Sequence, residues 1–410
     1  MANVSAIDAV PPPGHRPPAS WAAVASVGVG AFALVTTEFL PVGLLPQIAR
    51  DVGISEGQAG LMVTVPGMLA AIAAPLTIAF AGRFDRRHVL WFLLGLLVLS
   101  NILVATATSF AALLLGRVLL GIGVGGFWTI GGSLGPRLRP GPQGARATSL
   151  IYSGVSLGTV AGVPAGALVG NLLGWRLAFA GSAAMALLVV VALMLLLPVI
   201  RPERSSGLAQ VPAVLRLGKV RIGLIGTVLI FIGQFAAYTY ITPFLNQVTH
   251  IEAAGLSAVL LGYGLAGFLG NLFGGWAVSR DVRLTLVGTA ILLGGSVLLL
   301  ALAGTIPVTA ILAVLAWGFG FGMLPIAMQS WMFSAAPDRL ESVAALFVSI
   351  AQAAIGSGAL VGGLAVDRLG VESAFWLGGL AALATAALTL VFGRDSSDAA
   401  RTEPELAKGC

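Results

Sequence analysis

The stretch WAAVASVGVGAFALVTTEFLPVGLL, residues 21–45, carries one charged side chain, Glu38, in an otherwise apolar run. As a helix it rises about 1.5 Å per residue, enough to cross roughly 30 Å of hydrocarbon. A carboxylate at that depth costs roughly 3 kcal/mol on insertion scales, so its default reading is functional. Similar runs recur along the whole chain. Of its 410 residues, 58% are hydrophobic and only 9% charged, whereas a soluble chain of this size carries roughly 25% charged residues. There is too little polar surface to coat a water-soluble globule. The runs do not alternate as barrel strands would, so the fold class is an all-α polytopic membrane protein.

Spans are expected at 21–45, 58–80, 89–108, 110–135, 146–170 and 174–198. A second set follows at 220–246, 255–278, 284–303, 308–333, 341–366 and 371–393. With the N-terminus inside, 18 of the 22 arginines and lysines fall in cytoplasmic segments. Arg50, Arg176 and Arg368 fall outside, and Arg117 lies within a span. This asymmetry places both termini in the cytoplasm. The expected organisation is a disordered tail (1–20), a six-helix bundle (21–198), a basic linker (199–219), a second bundle (220–393) and a C-terminal tail (394–410). Met1 to Ser20 is proline-rich without an apolar core, unlike a cleaved signal peptide.

The two sets of six resemble each other. Gly166-Ala-Leu-Val-Gly170 in span five recurs as Gly358-Ala-Leu-Val-Gly362 in span eleven. Gly121-x-Gly123-x-Gly125 in span four parallels Gly318-x-Gly320-x-Gly322 in span ten. The offsets, 192 and 197 residues, indicate a duplicated six-helix unit, the architecture of carriers that rock two bundles about a central site.

The net charge of +6 is spread over loops and is no nucleic-acid footprint. The single cysteine, Cys410, excludes intrachain disulfides and a thiolate metal cluster. No span contains a histidine or cysteine, so neither a nucleophile–base pair nor a metal site is evident. An enzyme is disfavoured, and no cofactor is implied.

With this 6+6 plan in view, the chain resembles the major facilitator superfamily over nearly all of residues 20–393. Gly82-Arg83-Phe84-Asp85-Arg86-Arg87 resembles the signature loop between helices two and three, without its second glycine. Gly158-x3-Gly162-Val163-Pro164-x-Gly166 resembles the fifth-helix antiporter motif, with a valine interposed before the proline. Arg117 stands where proton-coupled branches carry a fourth-helix arginine. Thr37-Glu-Phe-Leu-Pro-Val-Gly-Leu-Leu-Pro46, Gly-Gly-Phe-Trp128 and Gln234-Phe-Ala-Ala-Tyr-Thr-Tyr240 look like the drug/proton antiporter branch, and most like its bacterial purine ribonucleoside and sugar efflux permeases.

The resemblance implies a pseudo-symmetric twelve-helix fold that works as a monomeric, proton-driven exporter in a bacterial inner membrane, neither a channel nor an enzyme. A purine nucleoside is the preferred cargo; a sugar or a drug is the alternative, and passive facilitation is a weaker one. Its partners are then a small molecule, protons and the lipid bilayer.

Glu38 and Arg117 lie at similar depth, roughly 10 Å below the outer surface, on helices that the fold makes neighbours. An arginine neighbour favours the charged carboxylate and burial favours the neutral one, so the pair is read either as a proton-coupling site or as a static ion pair. Trp128, Gln234 and Tyr238 are the expected substrate contacts, because aromatic faces with an amide suit a planar heterocycle or a sugar ring. Arg83, Asp85, Arg86 and Arg87 are expected to latch the two halves on the cytoplasmic side. Gly158, Gly162 and Gly166 belong to a ridge of glycines every fourth residue that allows close helix approach, and Pro164 can bend that helix.

Overall fold

A computed structural model describes residues 19–81, 84–131, 134–140, 143–200, 211–337 and 340–393. The described residues form α1 (Trp21–Val52), α2 (Glu56–Ala81), α3 (Arg86–Thr106), α4 (Phe110–Gly131), α5 (Leu134–Leu138), α6 (Gln143–Leu157), a π-helical turn (Gly158–Gly162), α7 (Val163–Leu173) and α8 (Trp175–Leu196). There follow α9 (Val211–Val214), α10 (Gly218–Tyr238), α11 (Ile241–Gln247), α12 (Ala253–Val278), α13 (Val282–Ala303), α14 (Pro307–Ala335), α15 (Leu340–Leu369) and α16 (Glu372–Phe392). Among them are 12 helical segments long and apolar enough to cross a membrane, as expected from the sequence. Span five is composite, α6 through α7 with the π turn between, and span seven breaks at Thr239–Tyr240 before α11. The short α5 and α9 were not foreseen.

Local chemistry sets the helix ends. Ser20 caps α1, accepting from the Ala23 N–H, and Gly53 ends it in the left-handed conformation at φ 73°. Asp85 caps α3, accepting from the Arg87 N–H, and Asp281 caps α13, accepting from the Leu284 N–H. The aspartates of the two related loops thus perform the same task in the two halves.

The duplicated glycine motifs also pack alike. A Cβ on Gly166 or Gly170 would run into Leu40 or Leu44 of α1, and one on Gly358 or Gly362 into the Ile232 or Ala236 carbonyl of α10. Span five therefore lies on span one as span eleven lies on span seven. Likewise Gly125 meets Ala70 of α2, and Gly318 meets Tyr263 of α12. This is the pseudo-symmetric 6+6 arrangement in physical form.

Across the halves α2 packs along α15, α12 against α7 and the π turn, and α1 against α11. Side-chain hydrogen bonds between the halves gather at the end away from Asp85 and Asp281. Asp367 at the end of α15 accepts from Ser55 Oγ (2.6 Å) and from the Gly57 N–H (3.0 Å) at the start of α2. Gln247 donates to both Glu56 carboxylate oxygens at 2.9 Å. On the other side of the molecule, Asn171 of α7 donates to Ser257 Oγ of α12 at 3.4 Å and pairs with Gln47 of α1. With the N-terminus inside, as the arginine distribution leads one to expect, this closed end would be the outer one.

Candidate functional site

Two prolines shape the first site. Pro41 in α1 has no N–H for the carbonyl four residues back, Thr37, and Pro66 in α2 likewise leaves Met62 without its helical donor. Buried carbonyls of this kind need another partner. Arg117 of α4 supplies it: Nη1 donates to the Thr37 carbonyl (3.0 Å), Nε to the Met62 carbonyl (2.6 Å) and Nη2 to the Glu38 backbone carbonyl (2.8 Å). The guanidinium is fully buried.

Glu38 and Arg117 are therefore neighbours, but the guanidinium grips the backbone of α1 and not the carboxylate. Both residues are described, and no ion pair joins their side chains; Glu38 Oε1 is buried without a hydrogen-bond partner. The static ion pair left open by the sequence is not formed here. The Gln352 amide, on α15 of the other half, is the side-chain neighbour of the carboxyl, and Arg117 stands beside the same residue through its backbone carbonyl. Around them Asn101 donates to Thr37 Oγ1 (3.1 Å), while the Thr36 and Ser100 hydroxyls and Asn101 Oδ1 have no partner.

The second site is aromatic. Phe39 follows Glu38 and stacks on Phe235 of α10 at 5.4 Å between ring centroids, with Tyr238 edge-on at 6.4 Å. Tyr238 stacks on Tyr263 of α12 at 5.1 Å and meets Phe321 of α14 at 6.2 Å. Gln234 is fully buried and its amide is engaged at both ends. It donates to Tyr263 OH (2.9 Å) and accepts from Trp317 Nε1 (2.7 Å). The structure brings Gln234 and Tyr238 together, one helical turn apart, with Gln234 holding the rings that surround Tyr238. Trp128 is not in this group: it stacks on Tyr152 of α6 at 5.8 Å, on the other half.

Asp85 lies at the opposite end of the bundle. Besides capping α3 it accepts from the Ile200 N–H (3.0 Å), and the Arg86 N–H donates to the Ile200 carbonyl, so these contacts tie the start of α3 to the beginning of the linker and do not reach the second bundle. Arg87 lies over Trp91. Arg83 falls outside the described residues. The glycine ridge faces α1: a Cβ on Gly158 would press on Val35, and one on Gly162 would overlap the Thr36 hydroxyl. Pro164 stands two residues beyond the π turn, after Val163.

Sequence reasoning missed Tyr263, Gln352 and the two prolines served by Arg117. The signals were present. Tyr263 and Gln352 are isolated polar groups in apolar spans, and Pro41 and Pro66 each stand four residues after a carbonyl that must be served elsewhere.

Twelve membrane-length helices in two superposed packing patterns, with polar and aromatic groups gathered between the halves, define a carrier. The chain belongs to the Major Facilitator Superfamily, whose profile matches residues 27–359 and again 223–408. It is thus a multi-pass membrane transporter. Among curated relatives, it is 37% identical over 369 residues to the purine ribonucleoside efflux pump NepI of Escherichia coli O6:K15:H31, covering 90% of this chain and 93% of that one. It is 36% identical over 367 residues to the pump of the same name from Salmonella enteritidis PT4, covering 90% and 92%. Among solved structures, the human organic anion transporter MFSD10 (TETRAN) aligns with a TM-score of 0.68 at 19% identity, over 91% of this chain and all of that one. At that identity it speaks to fold alone.

Proposed function

We propose that this protein exports a purine ribonucleoside in exchange for protons, alternating between inward- and outward-facing states in a bacterial inner membrane with both termini in the cytoplasm. The observation that carries the reading is the Glu38 carboxyl, buried between the halves with an oxygen that no protein group serves. A carboxyl so placed gains a partner by taking up a proton and must find water or a new donor when it loses one. Similarity to two purine ribonucleoside efflux pumps over nine tenths of the chain supports the cargo. The stacked rings about Tyr238 suit a planar base, and Gln234 keeps them in place.

In this reading Glu38 carries the proton and Arg117 holds the α1 backbone that presents it. Tyr238 and Trp128, on opposite halves, contact the base, and closure at the outer end makes this conformation inward-facing. The loop at Arg83, Asp85, Arg86 and Arg87 engages the second half only when the inner end shuts, and residues 21–198 and 220–393 move as the two bundles. The flexing helix is the one with Gly158, Gly162, Pro164 and Gly166.

Uptake of purine ribonucleosides, pyrimidine ribonucleosides and sugars into everted vesicles, with and without a proton gradient, tests the proposal. Purine ribonucleosides are expected to accumulate only with the gradient, and Glu38→Gln to abolish accumulation while inserting normally. Gradient-independent flux of every solute, or undiminished accumulation by Glu38→Gln, would sink it.

A further inference from the structure

Two buried oxygens without hydrogen-bond partners face each other's halves: Glu38 Oε1 on α1 and Gln352 Oε1 on α15. The Gln352 amide is the side-chain neighbour of the Glu38 carboxyl, and the two residues are 3% and 8% exposed. What brings them together is a close crossing of α2 and α15. A Cβ on Gly67 would stand 2.8 Å from the Gly356 nitrogen and 3.0 Å from the Gln352 carbonyl oxygen. Gln352 thus reaches Glu38 only when the two halves are pressed together.

Donors and acceptors do not balance if Glu38 is ionised. A carboxylate only accepts, while a primary amide offers N–H donors and one accepting oxygen. The Gln352 Nε2 then serves the carboxylate, and Gln352 Oε1 is left with nothing. Arg117 does not make up the difference: three of its five N–H donors go to backbone carbonyls, and it bonds neither unmet oxygen. With a proton on Glu38 Oε1 the count closes. That O–H donates to Gln352 Oε1, Nε2 donates to the second carboxyl oxygen, and both unmet atoms are satisfied.

The ionisable groups on the elements around Glu38 leave this pair as the responsive one. From α4 comes Arg117, and from α10 Tyr238, which packs on the adjacent Phe39. Tyr152 of α6 stacks on Trp128, and the others stand at helix ends: Glu56 of α2, Arg86, Arg87 and His88 of α3, Arg176 of α8, and Asp367 and Arg368 of α15. Arg137 of α5 and Arg146 of α6 lie beyond the opposite end from Glu56. The elements α7 and α11 and the π turn contribute none.

We propose that Gln352 is the positioning residue that reads the protonation of Glu38: the neutral carboxyl closes a two-bond pair with it across the halves and so holds the outer end shut. The inference rests on Glu38 being the proton site. It gives the proton a defined consequence. A proton taken from the outside favours closure of that end and return of the empty carrier, and the pair must break before the outer end reopens. By linkage, the state that binds the proton more tightly, here the closed one, is the state that protonation stabilises.

The test uses the full-length protein in lipid nanodiscs with Cys410→Ser and spin labels on Leu173→Cys and Ile306→Cys. These positions are exposed, at the outer ends of α7 and just before α14. Pulsed electron resonance then reports the ratio of outer-closed to outer-open states against pH. In the wild type the ratio is expected to rise as pH falls, by up to about tenfold per unit, the limit for one proton. Glu38→Gln, which offers Gln352 the same donor and acceptor as a neutral carboxyl, is expected to stay closed at every pH.

Gln352→Leu is expected to reduce the response to less than about twofold per unit. Gln352→Met, closer in length, is expected to do the same, which separates the lost amide from a packing defect. A wild-type response in both Gln352 variants overturns the inference while leaving Glu38 in place. A wild-type ratio independent of pH, together with gradient-driven export by Glu38→Gln, removes Glu38 itself.

Discussion

Arg117 is the residue that ties α4 to α1 and α2. Its three hydrogen bonds serve carbonyls of α1 and α2, two of them freed by proline. A lysine keeps the charge but has no planar fork to reach three acceptors at once. Arg117→Met is expected to lower stability by about 3 kcal/mol, since a buried carbonyl left unserved costs about 1–3 kcal/mol, and Arg117→Lys is expected to recover little of it. The same Arg117→Met change in a Pro41→Ala, Pro66→Ala background restores N–H donors to Thr37 and Met62. There the loss is expected to shrink by at least about 1 kcal/mol. Thermal unfolding in detergent of the four proteins gives the cycle, and equal losses in both backgrounds would argue against this role. Depth alone placed Glu38 and Arg117 together in the sequence. Which atoms the guanidinium grips was not legible, because that depends on the rotation of α1 about its axis.

At the scale of elements, the glycine ridge of span five would not stay on one face of an ordinary helix. Each step of four residues turns it by about 40°, so the four steps from Gly154 to Gly170 would carry it about 160° round. A π turn has roughly 4.4 residues, and the step from Gly158 to Gly162 runs back by about 30°. This cuts the drift to about 90°, and all five glycines meet α1. The valine interposed before Pro164 is the additional residue that the π turn absorbs. Deleting Val163 is expected to turn span five into a continuous α-helix with little change in melting temperature. Deleting Leu168, beyond the turn, rotates Gly170 off α1 by about 100° and is expected to be strongly destabilising. The glycine period was visible in the sequence, whereas the change of helix type was not, since it is a compromise with α1.

For the molecule as a whole, two related latches act at the closed end beside the Gln247–Glu56 contact. Asp367 joins the end of span eleven to the start of span two, and Asn171 joins the end of span five to Ser257 near the start of span eight. Only the first is charged, and it caps a helix N-terminus, where an anion is favoured. Asp367→Ala is expected to shift the closed-to-open ratio about tenfold toward open, the equivalent of about 1.4 kcal/mol or one to two hydrogen bonds. Asn171→Ala is expected to do less. The label pair at Leu173 and Ile306 reads both, and equal shifts would deny the charge a special part.

The twelve spans and the duplicated packing could be read in advance because apolar runs and glycine repeats are local properties of the chain. Asp367 and Ser55 are 312 residues apart. Gln352 and Glu38 are as widely separated in kind, an amide in one half and an acid in the other. No pattern within either segment announces such meetings. They exist only because α2 and α15 cross where both carry glycine.

The reach of Arg117 across the chain also bears on biogenesis. Its carbonyl partners on α2 and α1 lie 55 and 80 residues upstream. As the nascent chain leaves the ribosome, α1 and α2 enter the lipid with two backbone acceptors unserved, and only α4 brings the donors. The first four spans therefore complete their integration as one cooperative unit. A chain stalled or truncated after α3 is left as a natural target for membrane quality control.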